Sequence, residues 1–284
     1  MRPVLCLASV VGALAVAAGS ASVQAASPVW KVTRPDGGTL YLGGSVHALR
    51  KADYPLPSAF DRALAASSRV VFEVVEDQET VERIAKSGEY AKGDALKNHV
   101  DPRTYVYIRR IFSLLGVPEA KFSKYKPWLL TMVFWSPGLD GLSSDLGVEG
   151  YLTKRANAAK KPILGLVSTE QHLEVFTGLT DRQSEAVLLL TFIPSASSKR
   201  SEVMSQWKRG EVDLLARRTY NAFADYPAFG HRLLDARNRA WMPTIENYLR
   251  SGEVYFVVVG AAHLGGAQGL LPLLKARGYQ LEQL

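Results

Sequence analysis

The chain has 284 residues, with 34 lysines and arginines against 27 aspartates and glutamates, and a formal net charge of +7. The basic residues are scattered as pairs such as Lys160-Lys161 and Arg217-Arg218, which argues against a nucleic-acid partner because such partners need clustered charge. The single cysteine, Cys6, lies in an N-terminal apolar run. Disulfides and thiolate metal sites are therefore excluded for the rest of the chain.

The first 25 residues are typical of an export signal. Arg2 is followed by an almost wholly apolar stretch over residues 4–18, and Val23-Gln24-Ala25 is a small-x-small cleavage signal. We expect residues 1–25 to be a signal peptide and residues 26–284 to form one α/β domain, in the periplasm or secreted. An uncleaved membrane anchor is the alternative. No second long apolar run follows, so no membrane span is expected after cleavage.

The next residues predict a strand–helix–strand unit. Residues 29–33 and 39–42 have strand patterns on either side of the turn Pro35-Asp36-Gly37-Gly38, which predicts a β-hairpin. Residues 54–66 have apolar positions at helical spacing, and residues 69–76 form an apolar run interrupted by one acid. This order predicts a parallel crossover.

The remainder of the chain predicts many helices and a few short strands. In chain order we expect helices over 80–159, a strand at 162–166, helices over 169–220, a long helix at 229–250 kinked at Pro243, a strand at 254–259, a helix at 270–278 and a strand at 279–284. The predicted fold is α/β, with a central mixed sheet built from the N- and C-terminal segments and a large helical insertion between them.

Two segments share one design, an apolar run followed by Gly, two small or apolar residues and His. The first contains Gly44 and His47, and the second contains Gly260 and His263. Sites in open parallel sheets form at the carboxyl ends of strands, and imidazole is both a frequent metal ligand and a general base near neutral pH. The matched pair predicts one composite site, although each histidine alone is also explained by a hydrogen bond that closes its turn.

Glu73 lies in the apolar run of residues 70–75. Burying an unpaired carboxylate is costly, so a metal, a cation or exposure at the end of the sheet must compensate it. Two imidazoles and a carboxylate are a recurrent ligand set for a divalent ion with open positions. We therefore predict a metal site formed by His47, Glu73 and His263, with an ion pair between Glu73 and Arg237 as the alternative.

The sequence also resembles the TraB/GumN family, which is related to the Tiki metalloproteases, over nearly the whole mature chain. The resemblance rests on Trp30-Lys31-Val32, Gly44-Ser45-Val46-His47, Val71-Phe72-Glu73-Val74, Lys126-Pro127-Trp128, Gly147-Val148-Glu149, Gly165-Leu166, Trp207-Lys208-Arg209-Gly210, Arg237-Asn238, Gly260-Ala261-Ala262-His263, Gly269-Leu270-Leu271 and Gly278-Tyr279. In the Tiki relatives the two histidine elements and a glutamate imply a metal-dependent peptidase. Family members often have Asp at position 149 and Glu at position 167, where this chain has Glu149 and Val167, and Glu170 is the candidate substitute for the second carboxylate.

The remaining site predictions concern residues near the second histidine. Arg237 and Asn238 are expected to assist substrate or transition-state charge, which makes them catalytic candidates with Glu73. Arg237 is equally explained as the cation that neutralises Glu73. Gly44, Gly260 and Arg237 are the predicted substrate-binding residues.

Other notable residues have simpler explanations. Glu149 and Asp145 are expected to cap a helix or interact with its dipole. The remaining histidines lack a strand-end context and are expected on the surface; they are His99, His172 and His231.

The predicted function is an exported hydrolase that depends on a divalent ion (Mn, Co or Zn) and acts on a peptide or another small exported substrate. Two alternatives stay open. The first is a non-catalytic protein that binds a peptide or signal molecule, which Val167 favours. The second is an esterase that uses histidine and glutamate without a metal.

Overall fold

The structure, a computed structural model, describes residues 26–75, 78–135, 141–192 and 200–284. The predicted signal peptide, with Cys6, lies outside these residues and stays a prediction. Across the described ranges, none of the helices has the length and apolar character needed to cross a membrane.

Six strands form one mixed sheet in the order β4-β3-β5-β2-β1-β6. Their bounds are Val29–Thr33 (β1), Thr39–Ser45 (β2), Arg69–Phe72 (β3), Ile163–Gly165 (β4), Tyr255–Gly260 (β5) and Gln280–Gln283 (β6). The neighbours β4, β3, β5 and β2 run parallel, whereas β1 is antiparallel to β2 and to β6. The predicted α/β class and the mixed sheet joining both ends of the chain are confirmed.

Helices connect and cover these strands. Their bounds are Ala59–Ala66 (α1), Gln78–Ser87 (α2), Pro102–Leu114 (α3), Pro127–Trp135 (α4), Val148–Ala158 (α5), Thr169–Thr177 (α6), Asp181–Leu190 (α7), Arg200–Lys208 (α8), Val212–Ala222 (α9), Pro227–His231 (α10), Arg237–Arg250 (α11) and Leu270–Ala276 (α12). Short 3₁₀ turns link several of them, including one at Ala261–His263.

The apolar run of β5 is buried on both faces because helices cover the sheet from two sides. Val258 packs into a cluster with Phe60 of α1 and Trp207 of α8, while Val257 packs into a second cluster with Trp241 of α11. Continuous apolar runs are typical of parallel strands covered on both faces. The helices inserted between β3 and β5 have apolar cores of their own.

Two element boundaries differ from the sequence prediction near the site. Strand β3 ends at Phe72 instead of residue 76, so Glu73 lies just beyond the strand. The helix predicted over 229–250 is divided by a π-helical turn at Arg232–Ala236, directly before Arg237, and it continues as α11 through Pro243. Single π turns within helices are frequent at functional sites.

The predicted helix over 54–66 begins late, at Ala59. Pro55 and Pro57 explain this start, because proline disfavours helical backbone in the residue before it and lacks an N–H for the helical ladder.

Candidate functional site

Three predicted site residues follow three neighbouring parallel strands. His47 lies two residues beyond β2, Glu73 follows β3, and His263 ends the turn after β5. Since β5 lies between β3 and β2, their carboxyl ends meet at one edge of the sheet. A Cβ atom placed on Gly260 would lie 3.5 Å from Glu73 Oε1, 3.6 Å from His263 Cδ2 and 3.8 Å from His47 Nε2. The structure thus brings all three side chains around Gly260.

Glu73 is a buried carboxylate, only 8% exposed. Its Oε2 pairs with Arg237 Nη2 at 2.5 Å, and its Oε1 accepts a hydrogen bond of 2.8 Å from the Gly260 amide. Burial raises the pKa of Glu73, but the positive charge of Arg237 and smaller contributions from the surrounding histidines outweigh it and hold that pKa well below its usual range. Glu73 is therefore ionised at neutral pH.

His263 is buried and held in one tautomer by Asn238. The Asn238 amide nitrogen donates to the carbonyls of His263 (3.2 Å) and Gln268 (2.8 Å), so its Oδ1 is the acceptor for His263 Nδ1 at 2.7 Å. Burial, reinforced by Arg237, lowers the pKa of His263 to about 3 against the opposing charge of Glu73. The imidazole is therefore neutral, with its proton on Nδ1 and a lone pair on Nε2.

His47 is oriented by a carboxylate that the sequence analysis assigned to helix capping. Glu149, in the first turn of α5, accepts hydrogen bonds at Oε1 from His47 Nδ1 (2.8 Å) and from Ser45 Oγ (2.6 Å). Burial raises the pKa of Glu149, but His47 and Ser45 outweigh this effect and lower it below its usual range. Helix α5 has no side-chain capping hydrogen bond, although Glu149 lies in its first turn as the dipole interpretation expects; its carboxylate also reaches back to the end of β2. His47 therefore donates from Nδ1 to the Glu149 carboxylate.

The turn that contains His47 packs closely on the start of α5. The Val148 amide donates to the Val46 carbonyl at 3.1 Å. A Cβ atom on Gly147 would lie 2.1 Å from the His47 carbonyl oxygen, so only glycine permits this approach. Asp145, the other expected capping residue, lies in the 3₁₀ turn Ser144–Leu146 just before α5.

Arg237 contacts two of the three predicted metal ligands, Glu73 and His263. Besides Glu73, its guanidinium contacts His263 Nε2 at 3.3 Å and His172 Nδ1 at 3.1 Å, and it lies 4.7 Å from the centre of the Trp241 ring. The sequence left two roles open for Arg237, binding substrate charge or neutralising Glu73. The structure shows the ion pair with Glu73. Asn238, the neighbouring candidate, acts on His263 as a positioning residue.

His172 is a site residue that the sequence analysis missed, because it was expected on the surface. It lies on α6, the helix that follows β4, and it is half-buried. Burial, together with the charge of Arg237, lowers its pKa to about 4. The signal was available, since β4 is a fourth parallel strand whose carboxyl end lies at the same edge of the sheet. His231 is exposed as predicted.

The two predicted glycines occupy different environments. Gly260 lies among the three site side chains, whereas a Cβ atom on Gly44 would face Ala261 and Leu264 at 3.1 Å. The Gly44 carbonyl accepts a hydrogen bond of 2.8 Å from Trp207 Nε1. The structure thus uses Gly44 for close packing of the turn after β5, and substrate binding by either glycine stays a prediction.

A cleft of about 460 Å³ adjoins the site between the segments after β3 and β4. Its lining includes Val74, next to Glu73, and Gln171, next to His172. Val167 and Glu170 also line it, and Glu170, the candidate substitute for a carboxylate at position 167, pairs with Arg83. Position 167 therefore contributes an apolar side chain to the wall of the cleft.

The residue types at the site are ones that bind divalent ions, since His263 is a neutral imidazole and Glu73 is ionised. The His263 Nε2 and Glu73 Oε1 atoms are 3.8 Å apart. Two donor atoms bound to the same tetrahedral ion lie closer together than this. Within the described residues, no three His, Cys, Asp or Glu side chains form a group able to hold an ion. The guanidinium of Arg237 instead contacts two of the three predicted ligands.

The similarity to known proteins extends over almost the whole domain. The profile of the TraB/PrgY/gumN family matches residues 28–283. Uncharacterized protein YbaP of Escherichia coli (strain K12) is 23% identical over 252 residues, which cover 87% of this chain and 92% of YbaP, and YbaP of Shigella flexneri matches to the same extent. No solved structure shows a significant match. The chain therefore belongs to the TraB/PrgY/gumN family.

Proposed function

We propose that this protein is an exported hydrolase that acts on peptide bonds at the site formed by His47, Glu73 and His263. One observation carries the proposal. Both imidazoles have their Nδ1 held by an acceptor, Glu149 for His47 and Asn238 for His263, while the two rings and Glu73 surround Gly260. Such outer partners fix the tautomer and orientation of histidines that act as ligands or bases.

His47 is the general base of the proposed reaction. Its side chain is 66% exposed, and the ionised Glu149 stabilises the imidazolium that forms when Nε2 takes a proton. The proton then passes from His47 to the leaving amine. Arg237 supplies positive charge for the developing oxyanion, and Asn238 keeps His263 in its tautomer.

When bound, a divalent ion would be held by His47, Glu73 and His263, and His47 would then be a ligand in place of a general base. Bound there, Mn²⁺, Co²⁺ or Zn²⁺ supplies a Lewis acid that polarises the carbonyl and acidifies water. The same donors make two contacts with Arg237, so holding an ion requires the guanidinium to release Glu73 Oε2 and His263 Nε2.

The test combines metal analysis with product analysis on the purified mature protein. Exported peptides are incubated with wild type, His47→Ala and His263→Ala, and the products are identified by mass spectrometry. His231→Ala is the control, because that histidine is exposed outside the site. We expect both site variants to lose divalent metal and hydrolysis. Absence of bound metal in the wild type, with unchanged hydrolysis in both variants, overturns the proposal.

A hydrolase without a metal is the second candidate. It is favoured by the contacts of Arg237, which already neutralises Glu73, and by the His47–Glu149 pair, which forms a base without an ion. Ester hydrolysis that persists in chelator and is lost in His47→Ala supports this version.

A non-catalytic binding protein is the third candidate, and Val167 favours it because position 167 contributes no carboxylate to the cleft, where Glu170 is paired with Arg83. Isothermal titration with exported peptides, followed by mass spectrometry, separates it from the enzymes. Binding without any product supports the binding protein.

Export is part of the same proposal. Residues 1–25 have the signal pattern described above, and N-terminal sequencing of the protein from the periplasm or medium should begin at Ala26. Recovery of the full-length chain in the membrane fraction contradicts cleavage and favours the anchor.

A further inference from the structure

A second cavity lies in the helical insertion, away from the carboxyl ends of the strands. Its volume is about 260 Å³, and it lies between the start of α4, the end of α6 and the first turns of α7. Its apolar walls come from Trp128, Pro127 and Leu179. Apolar walls with a few converging polar groups are typical of sites for small organic molecules.

Two hydroxyl groups at this cavity are buried without a hydrogen-bond partner. They belong to Tyr90 and Ser184, both of which line the cavity, and neither has a partner in the part of the chain that the structure describes. Ser184 is only 4% exposed. An unsatisfied buried hydroxyl costs free energy, so a ligand or water that accepts from both groups is favoured.

The cavity is lined by one cation without a carboxylate partner among the described residues and by one carboxylate that is already paired. Lys126 lines it and donates to the Ser87 carbonyl at 2.9 Å, but no carboxylate pairs with its ammonium over the described ranges. The Asp181 carboxylate at the cavity is already engaged by His99 at 2.8 Å, and Asp94 binds the other ring nitrogen at 2.7 Å. Lys126 is thus a cation with donor capacity left.

The surroundings of Tyr90 and His99 favour the protonated form of each side chain. The hydrogen bonds to Asp181 and Asp94 raise the pKa of His99, and its ring stacks on Tyr90 with centroids 4.1 Å apart. Burial, with smaller contributions from the negative charges of Asp181 and Asp94, raises the pKa of Tyr90, so its hydroxyl remains protonated and available as a donor.

We propose that this cavity binds a small organic carboxylate, whose oxygens accept hydrogen bonds from Tyr90, Ser184 and Lys126 and whose apolar part contacts Trp128. The volume corresponds to about nine water molecules at the ~30 Å³ that each occupies in the liquid. A small aromatic acid has this size. The site is separate from the His47 cluster and does not depend on the proposed hydrolysis.

The test uses benzoate as the probe and benzamide as its neutral counterpart, in isothermal titrations of the mature protein. We expect saturable binding of benzoate at one site and binding of benzamide weaker by about tenfold, because a hydrogen bond to a charged group contributes more than one to a neutral group. Lys126→Met should remove this preference for the anion.

Tyr90→Phe and Ser184→Ala should each weaken benzoate binding by about tenfold. Matched controls are Tyr107→Phe and Ser113→Ala, which change exposed residues and should bind benzoate as wild type does. Thermal unfolding of each variant checks folding, which should be retained because an unsatisfied hydroxyl is removed. Absence of saturable benzoate binding, or equal binding in all variants, overturns the proposal and leaves water as the occupant.

Discussion

Replacing Arg237 by methionine tests how the buried charge of Glu73 is held. Arg237 is the cation paired with Glu73 Oε2, and the carboxylate is 8% exposed. Removing one partner of a buried ion pair leaves an uncompensated charge and typically costs about 3–5 kcal/mol. We expect Arg237→Met to lower the free energy of unfolding by about this amount at pH 7, measured by urea denaturation.

The loss of stability in Arg237→Met should depend on pH. In wild type the pKa of Glu73 is lowered in the folded state, so the ionised carboxylate contributes stability above its unfolded value of about 4.3. That contribution is lost as the pH falls from there through the folded pKa. In Arg237→Met the largest charge that opposes burial is removed, so the pKa of Glu73 rises relative to wild type and its ionised carboxylate contributes less stability at neutral pH. The difference between the two proteins should therefore be largest at neutral pH and shrink towards pH 4.

The control is Arg62→Met, an exposed arginine on α1 whose guanidinium contacts Ser58. It should leave the free energy of unfolding almost unchanged. Replacing both Glu73 and Arg237 by leucine should recover much of the loss, because the pair can be exchanged for apolar packing. The reasoning is refuted if Arg237→Met is as stable as Arg62→Met, or if its loss of stability is the same at pH 7 and pH 4.

Three further substitutions test the supports of the site. Glu149→Gln should lower the rate of hydrolysis by about 10²-fold and change its pH profile, because His47 loses the carboxylate that stabilises its protonated form; an unchanged profile contradicts this role. Asn238→Ala should cost about 1–3 kcal/mol in urea denaturation, since His263 Nδ1 is left buried without an acceptor, and unaltered stability would refute it. Gly147→Ala should lower the midpoint of thermal unfolding by a shift equivalent to about 1–3 kcal/mol, because its Cβ atom would overlap the His47 carbonyl; an identical midpoint would show that the turn adapts.

Local sequence patterns were enough to predict most of the sheet and the grouping of His47, Glu73 and His263 around Gly260. The apolar runs and turn residues identify β1, β2 and β5, and two glycine-histidine elements after parallel strands imply a shared edge. Periodicity could not show where β3 ends, because the apolar residues continue to Val75 while the ladder stops at Phe72.

The sequence could not predict which residues contact the site residues, because these contacts depend on packing between distant segments. Glu149 has the ordinary position of an acid in the first turn of a helix, and only the packing of α5 against the turn after β2 brings it to His47. His172 likewise has no local signal beyond its place after β4. The π turn that directly precedes Arg237 has no recognised pattern in the sequence.

Strand β5 lies between β3 and β2, although it comes from the last thirty residues of the chain. Until those residues are synthesised, β2 and β3 have no common neighbour and each leaves an open edge, which invites pairing with other chains. Contacts so distant in sequence also form slowly. The grouping of His47 with Glu73 therefore arises only once β5 has been made, and a nascent or truncated chain that ends before Tyr255 lacks this grouping and is prone to aggregate.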